Sequence, residues 1–279
     1  MKLRIGLSPC PNDTFIFDAL LNGKLDTHGI EFEPLFADVE KLNHMAQNGQ
    51  LEVTKISVGA YPFLAANYVI LDAGAALGNG VGPLLVASRK DIDLNDTSTK
   101  VAIPGEMTTA NLLLSLFKPH LQNKKSILFS SIEDAILEDE MDAGVLIHEG
   151  RFTYQQKGLH LLFDLGAAWE NTYQVPLPLG CICASRNLNP ETILKVEKLI
   201  SESVRFAFAN PNASQSFVQA HAQEMDPLVI QQHIQLYVND YSVALGKNGK
   251  EAISRMLALV CRLRNIPITG LSVFTQQVA

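Results

Sequence analysis

The feature that most constrains the fold is an alternation of strand-like and helix-like segments along the first two-thirds of the chain. Short apolar runs such as KLRIGL and KVAIPG are each followed by a stretch with apolar residues at helical spacing. Beyond Pro190 the strand pattern stops and the pattern becomes wholly helical. Strands that alternate with helices predict an α/β fold built on parallel sheets.

Two such series, separated by extended segments, predict two lobes rather than one continuous sheet. We assign residues 1–88 and 186–279 to the first lobe and residues 89–185 to the second. The segments PLLVASR and PLPLGCICASR are predicted to cross between the lobes, and the helical C-terminal tail to pack on the first lobe. This is the layout of a two-lobed binding protein with a cleft between its lobes. A single doubly wound sheet is the weaker alternative.

Composition and charge exclude several classes of protein. The net charge is −7 and no basic block occurs, which argues against a nucleic-acid partner. Apolar runs such as GPLLVAS are too short to cross a membrane, so no membrane insertion is expected. The start, MKLRIGLSP, lacks the apolar region of a signal peptide, which predicts a cytoplasmic location. No zinc-type cysteine spacing or dinucleotide motif occurs, so we expect no metal and no cofactor.

A rigid corner follows the first predicted strand, in the stretch Ser8-Pro9-Cys10-Pro11-Asn12-Asp13. Two prolines fix φ and remove N–H donors, and no glycine is present to let a ligand approach the backbone. We therefore expect side chains to meet the ligand here, with Ser8 and Asn12 as the polar groups. Capping of the following helix is the ordinary explanation for at least one of Asn12 and Asp13.

Further polar residues stand on strands and at strand ends, where ligands bind in open α/β sheets. Lys55 and Ser57 lie in a strand that should be buried on both faces. A buried lysine needs a partner, either a protein carboxylate such as Asp13 or a ligand carboxylate. In PGEMTTANLLLSLF, Thr109 and Ala110 lie at a helix start, which is either an anion site or a plain N-cap. The absence of a phosphate-binding loop favours a carboxylate ligand over a polyphosphate.

His148 ends the apolar run AGVLI, and Glu149 should point to the opposite side if the strand continues. Imidazole changes its charge near neutral pH, as a general base should. A buried histidine bonded to a backbone carbonyl is an equally good interpretation at this point. The histidines at positions 44, 221 and 233 lie in helices of surface type and are weaker candidates.

Six segments, in chain order, resemble the 1,4-dihydroxy-6-naphthoate synthase family of the futalosine route to menaquinone. They are SPCPNDTFIF, TKIS, GAALGNGVGPLL, PGEMTTA, LIHEGRFTY and PLPLG. The resemblance covers nearly the whole chain. It implies a periplasmic-binding-protein type II-like fold with two α/β lobes. It also implies a carbon–carbon lyase that converts cyclic dehypoxanthinyl futalosine to 1,4-dihydroxy-6-naphthoate and dihydroxyacetone.

The resemblance also implies roles for individual residues. His148 would be the catalytic base, and the carboxylate-bearing substrate would contact Lys55, Ile56 and Ser57 together with Thr109 and Ala110. Residue patterns and resemblance therefore agree on His148, Lys55, Ser57 and the helix start. Ser8 and Asn12 enter the predicted substrate-binding set from the corner alone.

Three alternatives stay open. The first is chorismate dehydratase of the same route, against which the HEGRFTY segment argues. The second is a transport solute-binding protein, which would need export and no base. The third is a ligand-sensing module, which normally accompanies a DNA-binding helix-turn-helix, whereas this chain starts directly with the first strand. The helical tail also offers a face for a homodimer.

Overall fold

A computed structural model of the chain describes residues 1–223, 226–267 and 270–276. Contacts divide it into two compact units, unit 1 (Met1–Gly78 with Pro178–Ala279) and unit 2 (Asn79–Leu177). The lobe boundaries predicted from sequence stay a prediction. The last residues of the predicted segment 186–279 lie outside the described residues.

Unit 1 is built on one mixed sheet. Its strands are β1 (Lys2–Leu7), β2 (Glu31–Phe36), β3 (Val53–Ser57), β4 (Tyr68–Ile70), β5 (Ala76–Gly78) and β11 (Leu177–Ser185). The strand order is β2-β1-β3-β11-β4, and β5 also pairs with β11. β1 runs parallel to β2 and β3, whereas β11 runs antiparallel to β3 and β4. β3 is therefore buried between a parallel neighbour, β1, and an antiparallel neighbour, β11.

Helices cover this sheet, and most of them come from the C-terminal third of the chain. They are α1 (Pro11–Leu21), α2 (Val39–Gln47), α3 (Tyr61–Leu64), α8 (Pro190–Ala209), α9 (Gln215–His221), α10 (Pro227–Tyr237), α11 (Asp240–Val243) and α12 (Gly246–Arg264), with short 3-10 turns at Val58–Ala60 and Pro211–Ser214. α8 starts as its sequence predicts, with Pro190 in the first turn and the Asn189 side chain accepting a hydrogen bond from Thr192 N at 2.7 Å.

The predicted packing of the helical tail on the first lobe is seen at α1 and α8. The buried hydroxyl of Ser203 donates to Ile16 O at 2.6 Å and accepts from Leu20 N at 3.1 Å. Apolar residues of α1 and α8 share one core with β1 and β11, including Phe17, Leu20 and Val204. The tail is thus part of the core of unit 1 rather than an appendage.

Unit 2 is built on a second mixed sheet with the order β10-β6-β9-β7-β8. Its strands are β6 (Leu84–Ala87), β7 (Val101–Ile103), β8 (Lys124–Ser126), β9 (Ala143–Leu146) and β10 (His160–Asp164). Its helices are α4 (Thr109–Phe117), α5 (Ile132–Leu137), α6 (Gly150–Thr153) and α7 (Leu165–Tyr173), with a 3-10 turn at Phe129–Ser131. α7 follows β10 directly.

The prediction of purely parallel sheets is wrong in both units. In unit 2, β7 runs parallel to β8 and β9, but β6 runs antiparallel to β9 and β10. The parallel strands are those joined by the helical crossovers that the alternation predicts. β6, β10 and β11 are not reached through such a crossover from the strand beside them, and so they are free to run in the opposite direction.

Among residues 1–223, 226–267 and 270–276, no helix combines the length and the apolar character that crossing a bilayer requires.

Candidate active site

The corner after β1 positions the first group of candidate residues, all in unit 1. Helix α1 begins at Pro11, because a proline with fixed φ suits the first helical position. The N-cap residue is Cys10, and no side chain caps the helix. The expectation that Asn12 or Asp13 caps α1 is therefore wrong, and both side chains are used elsewhere.

The Asp13 carboxylate is fully buried and accepts four hydrogen bonds. Ser8 donates to Oδ2 from its backbone N at 3.1 Å and from its hydroxyl at 2.8 Å. Asn12 Nδ2 donates to Oδ1 at 2.8 Å, and Lys55 Nζ donates to the same oxygen at 2.5 Å. A carboxylate can remain charged in a buried position only if its oxygens are satisfied in this way. We call Ser8, Asn12, Asp13 and Lys55 the corner network.

Lys55 pairs with one of the two partners that the sequence left open. Its buried ammonium pairs with the protein carboxylate of Asp13. In the described part of the chain Asp13 is the partner found for Nζ, and a lysine ammonium carries three donors. Gly180 of β11 makes room for the lysine stem, because a Cβ at position 180 would lie 2.9 Å from Lys55 Cε. The glycine in PLPLG therefore accommodates Lys55.

Asn12 is engaged through both ends of its amide. Nδ2 donates to Asp13, and Oδ1 lies 2.9 Å from Nε2 of His233, on α10. Asn12 is thus buried within a hydrogen-bond chain, and its role as a substrate contact stays a prediction. His233 is fully buried, so the sequence-based placement of its helix face at the surface is wrong.

Ile56 and Ser57 complete the set in unit 1. Ile56 is fully buried, and its backbone pairs with Cys181 of β11. Ser57 ends β3, where its N donates to Asn43 Oδ1 at 2.9 Å and its hydroxyl accepts from Asn43 Nδ2 at 3.2 Å. Asn43, buried on α2, was not predicted from sequence. Its position one residue after buried Leu42, in an amphipathic helix, is the only sequence signal for it.

The second group of candidate residues lies in unit 2, beginning at the N-terminus of α4. The N-cap is Thr108, whose hydroxyl accepts from Asn111 N at 3.2 Å and donates to Gly105 O at 2.7 Å. Gly105 has φ of 153°, which favours glycine at this turn. Thr109 and Ala110 are the first two helical residues, and both are buried. The N-cap role therefore belongs to Thr108 and not to Thr109.

His148 lies in a turn between β9 and α6, which we call the histidine turn (residues 147–150). β9 ends at Leu146, so the condition under which Glu149 would point to the opposite side, a strand that continues to it, is not met. His148 has φ of 55°, in the left-handed region that few residues other than glycine adopt. Its ring contacts Phe129, with centroids 4.9 Å apart. A strained backbone at a half-buried imidazole is typical of functional sites.

A buried carboxylate, Glu133, lies near the histidine turn. Glu133 of α5 accepts from Lys157 Nζ at 2.6 Å through Oε2. A Cβ at position 150 would lie 3.6 Å from the Glu133 carboxyl group, at ordinary contact distance. Within the described ranges no donor reaches Glu133 Oε1, although this atom is buried. Sequence reasoning missed Glu133, because nothing in SIEDAILEDEM separates it from its acidic neighbours.

Comparisons with known proteins agree with one another. A family model described as menaquinone biosynthesis matches residues 3–261. A protein of Streptomyces coelicolor named 1,4-dihydroxy-6-naphthoate synthase is 41% identical and aligns over 96% of this chain and 96% of its own. A Thermus thermophilus protein of the same name is 42% identical, over 92% of this chain and 93% of its own.

The fold is also found among solved structures. The periplasmic aliphatic sulphonate binding protein of Escherichia coli superimposes with a TM-score of 0.64 at 14% identity, covering 98% of this chain and 90% of that chain. At this identity the likeness concerns the fold alone. It confirms the predicted α/β fold of periplasmic-binding-protein type.

Proposed function

The chain belongs to the menaquinone-biosynthesis family, and we propose that it converts cyclic dehypoxanthinyl futalosine to 1,4-dihydroxy-6-naphthoate with release of dihydroxyacetone. This is the activity of a carbon–carbon lyase. The observation that carries the proposal is the placement of His148, within LIHEGRFTY, in a strained left-handed turn at the end of a buried strand. The identity of 41% with the Streptomyces relative supports the same activity.

His148 is the proposed general base. In this reaction, cleavage of a carbon–carbon bond yields an aromatic product. Such a cleavage requires removal of a proton and stabilisation of the negative charge that develops on oxygen. A neutral imidazole can accept a proton at physiological pH, and a positioned base contributes about 10²–10⁴-fold to a rate. Contact with Phe129 limits the orientations of the imidazole ring. No step of this proposal needs a metal or a redox cofactor.

The N-terminus of α4 is the proposed site for the substrate carboxylate. N–H groups in the first turn of a helix have no partner within the helix, and the helix dipole favours a negative charge there. Because Thr108 already caps the helix, the hydroxyl and N–H of Thr109 and the N–H of Ala110 are the groups proposed to bind. Both residues are buried, which strengthens hydrogen bonds to a charged group.

The corner network and β3 are proposed to supply the remaining substrate contacts. The side chains of Lys55 and Ser8 each donate one hydrogen bond to Asp13. The Lys55 ammonium has two further N–H donors, and the Ser8 hydroxyl oxygen can still accept a hydrogen bond. Ser57, Ile56 and Asn12 belong to the same proposed set. Within it, Ile56 can contribute only backbone groups or apolar contact, because its side chain is buried in the core.

We place the reaction in the cytoplasm and expect the substrate to be the only required partner. The net charge of −7 disfavours nucleic acid. A homodimer through the C-terminal helices stays a prediction, and sedimentation velocity over a concentration series would test it.

Turnover of the purified protein tests the proposed function. Protein mixed with cyclic dehypoxanthinyl futalosine should form 1,4-dihydroxy-6-naphthoate, followed by absorbance, and one equivalent of dihydroxyacetone, measured by an enzyme-coupled assay. Chorismate in place of this substrate should remain unchanged. Binding of the futalosine derivative without turnover would favour a binding protein, and turnover of chorismate would favour the dehydratase.

A further inference from the structure

His233 lies far along the chain from every residue placed in the active site above, yet it touches one of them. It is fully buried on α10, and its ring packs on Tyr237 with centroids 4.7 Å apart. Its Nε2 lies 2.9 Å from Asn12 Oδ1. The contact joins the C-terminal helices to the corner after β1 within unit 1.

The direction of this hydrogen bond follows from its neighbours. The Asn12 group that faces Asp13 must be the Nδ2 donor, because a carboxylate only accepts. Asn12 Oδ1 therefore faces His233, and Nε2 of His233 must donate the hydrogen bond, because an amide oxygen only accepts. His233 carries a proton on Nε2 and donates to Asn12, which donates to Asp13, which also accepts from Lys55 and Ser8.

We propose that His233 is a positioning residue for substrate binding, acting through Asn12 on the Asp13–Lys55 pair and Ser8. The inference rests on the proposed function, in which Lys55 and Ser8 contact the substrate. Without the donor on His233, Asn12 Oδ1 becomes a buried acceptor with no partner, and rotation of the amide would turn this oxygen towards the Asp13 carboxylate. Either result disturbs the four hydrogen bonds that hold Asp13 and the ammonium in place.

His233→Phe tests the proposal, because it keeps an aromatic ring against Tyr237 and removes the donor. We expect KM to rise about tenfold, the loss that corresponds to weakening one strong hydrogen bond, while kcat stays within about twofold. His233→Gln, whose side-chain amide can donate from a similar position, should restore most of the affinity. The matched control is His221→Phe on α9, whose ring packs on Phe36 and Phe217.

A purely structural role for His233 predicts a different result, namely a lower Tm with unchanged KM in His233→Phe, as in the His221→Phe control. That outcome would overturn the proposal. Should His233→Phe fail to fold, His233→Leu is measured in the same way, since it also lacks the donor.

A second measurement does not depend on turnover. The Tm changes of His233→Phe and Lys55→Met should be non-additive in the double variant, since the two side chains act on one network without touching. His221→Phe combined with Lys55→Met should be additive. If the wild-type protein is inactive but the His233/Lys55 cycle is non-additive, the proposed function is refuted while the coupling of His233 to the corner network is supported. Additivity in both cycles would refute the inference.

Discussion

The corner network in unit 1 and the histidine turn in unit 2 both follow the end of a buried strand, but they are held in different ways. In the corner network, four hydrogen bonds converge on the buried Asp13 carboxylate, and no residue there has a positive φ. In the histidine turn, the backbone of His148 itself is strained, and its half-buried ring contacts Phe129.

The difference indicates a division of roles. A network of buried hydrogen bonds fixes charged and polar groups rigidly, which lowers the entropy cost of binding a ligand. A left-handed residue in a short turn sets the direction of one side chain through the backbone, without enclosing it. We therefore expect changes at the histidine turn to act mainly on kcat, and changes in the corner network to act mainly on stability and KM.

The largest effect is expected for His148→Asn. Asparagine keeps some hydrogen bonding and tolerates the left-handed conformation, but it cannot accept a proton at neutral pH. The variant should fold and bind substrate nearly normally and lose about 10²–10⁴-fold in kcat. The acidic limb in the pH dependence of the wild-type rate should also be absent. The control is His120→Asn, at an exposed position of unit 2, and retention of more than about a tenth of kcat by His148→Asn would refute the assignment.

Lys55→Met should have the next largest effect, and it acts on stability. It keeps the stem over Gly180 but leaves the buried Asp13 charge without its cation, which costs about 3–5 kcal/mol for a buried pair. Three other donors to Asp13 remain, so we expect the low end of this range. Urea denaturation measures it, with Lys2→Met as the matched control, because Lys2 and its partner Glu33 are both about half exposed (55% and 54%) and the loss should stay within about 1 kcal/mol. Equal losses at both positions would show that burial of the Lys55–Asp13 pair does not increase its contribution to stability.

Thr109→Val tests the N-terminus of α4. Loss of one hydrogen bond to a charged group should raise KM by an amount equivalent to about 1.5–3 kcal/mol, with a smaller change in kcat. The control, Thr108→Val, removes the N-cap and should lower stability by about 1 kcal/mol. If Thr109→Val lowers Tm and leaves KM unchanged, the helix start is structural and binds no carboxylate.

The smallest effect concerns an ion pair outside both sites. Hydrogen bonding from Arg4 lowers the pKa of Glu52 below its ordinary value. Because the pKa is lower in the folded state, this pair stabilises the protein above the ordinary glutamate pKa of about 4.3, and the contribution is lost as the pH falls through the lower value. Glu52→Gln should flatten the acid limb of Tm against pH slightly and leave KM unchanged, whereas a change in KM would show that the pair influences the site.

Much of the candidate site follows from local sequence. Three local features mark positions where a polar side chain is unexpected unless it has a partner or a function. They are the apolar run before His148, the threonines at a helix start and the lysine in a buried strand. Prolines at positions 9 and 11 predict a rigid corner because their effect on φ is local. The family resemblance, carried by SPCPNDT and HEGRFTY, indicates which reaction these residues would serve.

What the sequence by itself determined is the α/β class, the helical tail and the candidate residues, because helix and strand periods and proline geometry act within a few residues. Only the tertiary structure decided the antiparallel insertion of β6, β10 and β11, the pairing of Lys55 with Asp13, and the burial of His233 against Asn12. Residues 12 and 233 lie at opposite ends of the chain. Their contact depends on which faces of α1 and α10 turn inward, and the packing of the whole core sets that choice.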